Sequence, residues 1–133
     1  MRFVLVMCLT TFVSGCGGGD DGPDRFRVSG VVTFNGQPVP AGNIYFETTA
    51  GPAGGAQIVN GAYDTSDGKG VVGGPHNVVI EGYDGNGENP GEMGKPLFKP
   101  FRVTETFDKS DSTKDFEVPA SAADGLVISN DPA

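Results

Sequence analysis

Tryptophan is absent from this chain, histidine occurs once, and both cysteines lie within the first 16 of its 133 residues. Each shortage closes something off. The lone imidazole, His76, cannot build a metal centre of several histidines, and any serine nucleophile would have to rely on it. At the start of a strand beside Pro75, it reads as a surface or edge residue. With Cys8 and Cys16 the only thiols, everything after residue 16 lacks a disulfide, so the folded part depends on an ordinary apolar core. Basic residues are scarce: 9 against 17 acidic ones leave a net charge of −8, a surface that repels nucleic acid and anionic headgroups and excludes both as partners. No stretch sustains a helical period, and no apolar run approaches the ~20 residues that span a ~30 Å bilayer core.

What the first sixteen residues do hold is an export signal. Met1-Arg2 is a short positive region, Phe3 to Phe12 is apolar apart from Thr10 and Thr11, and the small residues Ser14 and Gly15 precede Cys16. The tetrad Val13-Ser14-Gly15-Cys16 resembles the lipobox of bacterial lipoproteins, which runs aliphatic, small, Gly or Ala, Cys. That resemblance implies a diacylglyceryl group on the Cys16 thiol, cleavage just before it and acylation of the new amino terminus, palmitate being the usual kind of chain. Each buried methylene contributes ~0.8 kcal/mol, so two or three acyl chains hold a small domain on a membrane durably where one would be reversible. The expected organisation is a signal peptide over 1–15, a lipidated cysteine and flexible Gly/Asp linker over 16–24, one domain over 25–119 and a tail over 120–133. The expected location is the cell membrane or outer membrane, with the domain in the periplasm or at the cell surface.

Beyond the linker, 22 glycines and 10 prolines separate short alternating runs, the pattern of a loop-rich β domain. Arg25 to Phe34 aligns Phe26, Val28, Val32 and Phe34 on one face; Asn35-Gly36 then turns the chain, and Gln37 to Gly42 prolongs the connection without a ladder. Asn43 to Thr48 alternates Ile44 and Phe46 against Asn43, Tyr45 and Glu47. Ala56–Val59 and Ala62–Thr65 flank Asn60-Gly61 as a two-residue hairpin. His76 to Tyr83 is the clearest central strand, with Val78 and Ile80 on one face and Val79 and Tyr83 on the other. Phe101 to Phe107 and Lys114 to Val118 close the set, and Leu126-Val127-Ile128 reads as an edge strand or a fraying end. Strands at this spacing predict an all-β, seven-strand antiparallel β-sandwich.

The order of these pieces resembles the transthyretin-like, carboxypeptidase-regulatory-like domains of bacterial envelope lipoproteins. The likeness is carried by Val28-Ser29-Gly30-Val31-Val32-Thr33-Phe34-Asn35-Gly36-Gln37-Pro38-Val39, by Asn60-Gly61-Ala62-Tyr63, by Gly74-Pro75 before Val78-Val79-Ile80, and by Asp115-Phe116-Glu117-Val118-Pro119. It spans Phe26 to Pro119 and implies a non-catalytic interaction or structural module. Two enzyme groups with related folds are excluded by residue count. Hydroxyisourate hydrolases need several histidines and a terminal Tyr-Arg-Gly-Ser, whereas this chain ends Asn130-Asp131-Pro132-Ala133; intradiol dioxygenases need two histidines on iron.

Two ligand classes remain in view beside an envelope protein partner. Asp84, Asn86 and Glu88 place oxygen side chains at alternate positions of a glycine-rich loop, which suits a hard cation such as calcium, although solvated turn residues are the ordinary reading. The loop is not an EF-hand, because Asn89 stands where glycine is needed and Lys95 where a bidentate glutamate is needed. No other cofactor is expected. Tyr45 and Tyr83 fall opposite core residues and are candidates for stacking a surface glycan, the missing tryptophan notwithstanding.

Overall fold

The computed structural model describes residues 23–49 and 51–126. Val13, Ser14, Gly15 and Cys16, most of the linker, and Val127-Ile128 lie outside the described residues.

The described chain is all-β. Nine strands run β1 (Val28–Phe34), β2 (Gln37–Pro38), β3 (Ala41–Glu47), β4 (Gly54–Val59), β5 (Ala62–Asp64), β6 (Gly74–Tyr83), β7 (Phe101–Phe107), β8 (Ser112–Thr113) and β9 (Phe116–Val118), with short 3₁₀ turns at Thr65–Asp67 and Ala120–Ala123. Seven follow the order β2-β1-β5-β4-β3-β6-β7, antiparallel throughout, and β8 and β9 lie along β1. The curled sheet changes partners along β1: Ser29 to Val31 pair with β5, whereas Thr33 and Phe34 pair with β2.

Turn chemistry sets the register. Asn35 and Gly36 take φ of 50° and 78°, and Asn60 and Gly61 take 50° and 81°, the paired positive values that a two-residue hairpin matched to strand twist requires. The first of these turns makes a hairpin that sequence reading omits, since Gln37 and Pro38 do form a ladder with Phe34 and Thr33. Proline fits there because this two-residue strand ends the path, where one missing N–H costs no ladder bond. Gly54 and Gly55 extend β4 beyond the expected Ala56–Val59 run, opposite Phe46 and Tyr45.

The closing segment departs from an all-antiparallel arrangement: β8 and β9 run parallel to β1. Between them the Asp115 carboxylate accepts the Val31 N–H at 2.8 Å, in place of a backbone acceptor. Gly30 makes this approach feasible, because a Cβ there would lie 2.0 Å from the Lys114 carbonyl oxygen.

Alternation buries one face of the curled sheet. Val28, Val32, Ile44, Phe46, Val78 and Ile80 are fully buried, and Phe107 packs edge-on to Phe46 with ring centroids 5.4 Å apart. Phe98 closes one end against Phe34 at 5.0 Å, from a stretch whose lack of alternation conceals it. His76 is a correction to the surface reading. It shares the parity of Val78 and Ile80, is 2% exposed, and stacks edge-on to Phe107 at 5.4 Å.

Candidate functional site

The face of the sheet turned away from the core carries the candidate site. Register builds it in rows across β4, β3, β6 and β7. Ala41 faces Val59 and Tyr83; Asn43 faces Gln57 and Glu81; Tyr45 faces Gly55 and Val79, with Arg102 beyond. The odd positions of β3 and β6 point outward because their even neighbours are held in the core, so Tyr45, Glu81 and Tyr83 share one face. Tyr45 is 40% exposed, Tyr83 and Glu81 are half-buried, and Val79 is buried although it points away from the core. Gly55 lets the β4 backbone approach β3 closely, since a Cβ there would lie 2.9 Å from the Ile44 carbonyl oxygen.

Glu81 lies in the row between the two tyrosines and is bonded to one of them. The Tyr83 hydroxyl donates to Glu81 Oε2 at 3.5 Å. Both phenols are held above their ordinary pKa, first by burial and next by the Glu81 charge, and Tyr83 also responds to Tyr45. The Tyr83 hydroxyl is thus the one in hydrogen-bond contact with this carboxylate, and the Tyr45 phenol feels its charge. Sequence reading singled out Tyr45 and Tyr83 and passed over Glu81 and Asn43, although strand parity places all four on this face.

The 84–96 loop is tied back on itself beside the strip. Asp84 donates its N–H to the Lys95 carbonyl at 2.9 Å, Gly85 to Met93 at 2.8 Å, and Leu97 to Gly82 at 2.9 Å. Met93 reaches over the sheet, with Sδ 3.8 Å from the Asn43 side-chain nitrogen. A shallow cleft of about 530 Å³ separates Tyr83 from the loop, with Asn86, Glu88 and Glu92 among its lining.

The candidate metal-ligating residues are distributed as follows. Asp84 Oδ1 accepts from the N–H groups of Asn86 at 2.9 Å and Lys95 at 3.1 Å; the Asn86 bond is the first cause of a carboxyl held below its usual range. Glu88 is exposed and gives its N–H to Glu92, whose carboxylate also takes the Asn89 amide at 2.7 Å. Among the described residues no three of His, Cys, Asp or Glu stand together as a metal-binding group.

A second polar cluster is structural. Arg27 forks onto Asp64, with Nε 2.9 Å from Oδ1 and a second N–H on Oδ2. Asp64 also caps the 3₁₀ turn through the Ser66 N–H at 2.9 Å and hydroxyl at 2.7 Å, while Asp111 accepts the Arg27 N–H at 2.8 Å. No helix among the described residues is long and apolar enough to cross a membrane.

These features define an all-β module with one face committed to its core and the other open, polar and partly aromatic. No family model matches the chain, and no curated protein matches it. Among solved structures it is similar to a pilus-presented adhesin, Cpa, at 13% identity and a TM-score of 0.34 over 74% of this chain; the match spans 27% of the adhesin.

Proposed function

We propose that the chain is a lipid-anchored, non-catalytic protein of the bacterial cell envelope, whose single transthyretin-like β domain serves as an interaction module. The observation that carries this reading is the pairing of the Val13-Ser14-Gly15-Cys16 tetrad with a compact β domain whose outer face presents Tyr45, Glu81 and Tyr83 to solvent. The acidic spacer from Gly17 to Asp24 gives that face reach from the membrane. The only imidazole is packed inside, which leaves the open face with carboxylates, amides, phenols and the Arg102 guanidinium, groups suited to binding.

The experiment is metabolic labelling with a clickable palmitate analogue, followed by membrane fractionation and crosslinking mass spectrometry on intact envelopes. The wild type is expected to take label, sediment with membranes and crosslink to a discrete envelope component. Cys16→Ser is expected to lose all three. An unlabelled wild type, or a Cys16→Ser form that fractionates identically, overturns the anchor.

The second reading, an accessory domain for a surface glycan, is favoured by the Tyr45 and Tyr83 strip. A calcium version of it draws on the Asp84, Asn86 and Glu88 spacing alone.

A further inference from the structure

Glu81 has no evident use in holding the fold together. Its half-buried carboxylate has the Tyr83 hydroxyl at 3.5 Å, and the ion pairs of the described residues, Arg27–Asp64, Arg102–Glu47 and Lys114–Glu105, leave it without a cation. A carboxylate partly withdrawn from water and set between two phenol rings attracts a positive group more strongly than an exposed acid does, and ring faces add to that attraction. In the same row, Gln57 supplies an exposed amide that both donates and accepts, and Asn43, its nitrogen directed at Met93 Sδ, supplies its amide oxygen as an acceptor, ~4.8 Å apart from strand to strand. Tyr45 and Tyr83 flank that row on either side along the strands.

A ligand that uses all of these groups has flat apolar faces, paired hydroxyls and a positive charge. We propose that the strip binds an oligosaccharide carrying free amino groups, with its ammonium on Glu81, hydroxyls on Asn43 and Gln57, and pyranose faces on Tyr45 and Tyr83. This rests on the reading above that the open face is where the module meets its partner, and it names the class of that partner. A neutral glycan would offer Glu81 hydroxyl donors but no opposite charge, and charge-assisted bonds are roughly twice as strong when both partners are ionised as when neither is. An anionic one would meet a chain of net charge −8, which instead draws a polycation toward it. A lysine-bearing peptide would satisfy Glu81 but offers no ring face to stack on Tyr45.

The chain's lack of tryptophan makes the test direct, since tyrosine emission then reports Tyr45, Tyr83 and the buried Tyr63 alone. The full chain in detergent micelles is titrated with glucosamine trimer, its N-acetylated counterpart, cellotriose and trilysine. Glucosamine trimer is expected to change the emission saturably and to bind about tenfold more tightly than each of the other three. Glu81→Gln is expected to weaken it about tenfold, or ~1.4 kcal/mol, with an unchanged melting curve. Tyr45→Phe should retain binding and Tyr45→Ala lose it.

Equal binding of the amino and acetylated trimers, or an unaffected Glu81→Gln, overturns the ammonium site. Trilysine binding as tightly as glucosamine trimer overturns the glycan. No saturable response to any probe overturns the proposal outright, whereas the anchor and module reading is decided independently by the Cys16→Ser fractionation.

Discussion

The Lys114 ammonium and the Glu105 carboxylate stand 3.0 Å apart, and their contact joins the two ends of the curled sheet. Lys114 sits between β8 and β9 beside β1, and Glu105 belongs to β7 at the far end of the strand path. The side chains keep 42% and 28% of their exposure, so water screens the pair and its contribution falls in the ~0–1 kcal/mol range of surface bridges. Lys114→Met is expected to lower stability by less than ~1 kcal/mol, and the difference should shrink at high salt. Urea denaturation at two ionic strengths measures both, and a salt-independent loss would identify packing of the lysine stem as the cause.

Gly82 faces Phe98 with no room for a side chain. A Cβ there would lie 2.5 Å from the Phe98 ring and 3.1 Å from Val39, and both residues are buried. Gly82→Ala is therefore expected to cost ~1–3 kcal/mol by overpacking. Adding Phe98→Leu should recover part of the loss, so the double variant should melt above the temperature that additivity of the two single changes requires. Strict additivity would show that the ring already moves aside.

Asp64 makes stability depend on acid. The Arg27 hydrogen bond, followed by those from Ser66, holds its carboxyl well below the ordinary range. An unfolded aspartate titrates near ~3.9, so the folded form binds its proton at lower pH than the unfolded form. The resulting stabilisation is full above about pH 4 and is lost as pH falls toward the folded value. Asp64→Asn should flatten the decline of melting temperature below about pH 4, while at neutral pH it should be the less stable protein. Parallel wild-type and variant curves through the acid range would dissociate the pair from acid sensitivity.

Parity along the chain makes most of the sheet legible, because Ile44 and Phe46, or Val78 and Ile80, are apolar for the same reason that they are buried. The Asn35-Gly36 and Asn60-Gly61 turns are legible because few residue pairs accept positive φ at both positions. The parallel return of β8 and β9 is not: it depends on Gly30 lacking a side chain and on the Asp115 carboxylate reaching the Val31 N–H, a pairing 84 residues apart with no local mark. Phe98 is concealed in a loop, and His76 is misread when its proline neighbour is weighted above its place in the alternation. At the candidate site, Tyr45 and Tyr83 follow from parity, and Glu81 follows from the same parity, since it alternates with the buried Ile80 and Gly82 of β6. That Met93 folds over Asn43 follows from loop closure, which the sequence marks only by glycines.

The 84–96 loop is expected to open when Asp84 is removed. Its Oδ1 gathers two backbone N–H groups, and it lies where a Cβ on Gly94 would be, 1.9 Å away. Asp84→Ala should raise amide exchange at Asn86 and Lys95 without changing protection in β3 and β6. The same samples test the calcium reading. A rise in melting temperature in millimolar calcium that Asp84→Ala abolishes would establish it, and an unchanged curve would remove it.

His76 separates a structural role from a chemical one. Its Nδ1 lies 2.8 Å from the Gly74 carbonyl oxygen, which can only accept, so the proton belongs on Nδ1. Nε2 is buried and has no hydrogen-bond partner among the described residues. An imidazole so placed cannot reach a ligand on the outer face, because β6 turns His76 inward and Glu81 outward. Replacement should thus follow volume. His76→Ala is expected to cost ~2–4 kcal/mol through the cavity left against Phe107. His76→Leu should lose less, because removing the unpartnered Nε2 offsets the lost bond to Gly74. Tyrosine titrations with glucosamine trimer should give the same affinity for His76→Leu as for wild type. A folded His76→Leu form that loses binding would connect the buried imidazole to the open face and contradict the separation of core from site on which the proposed function depends.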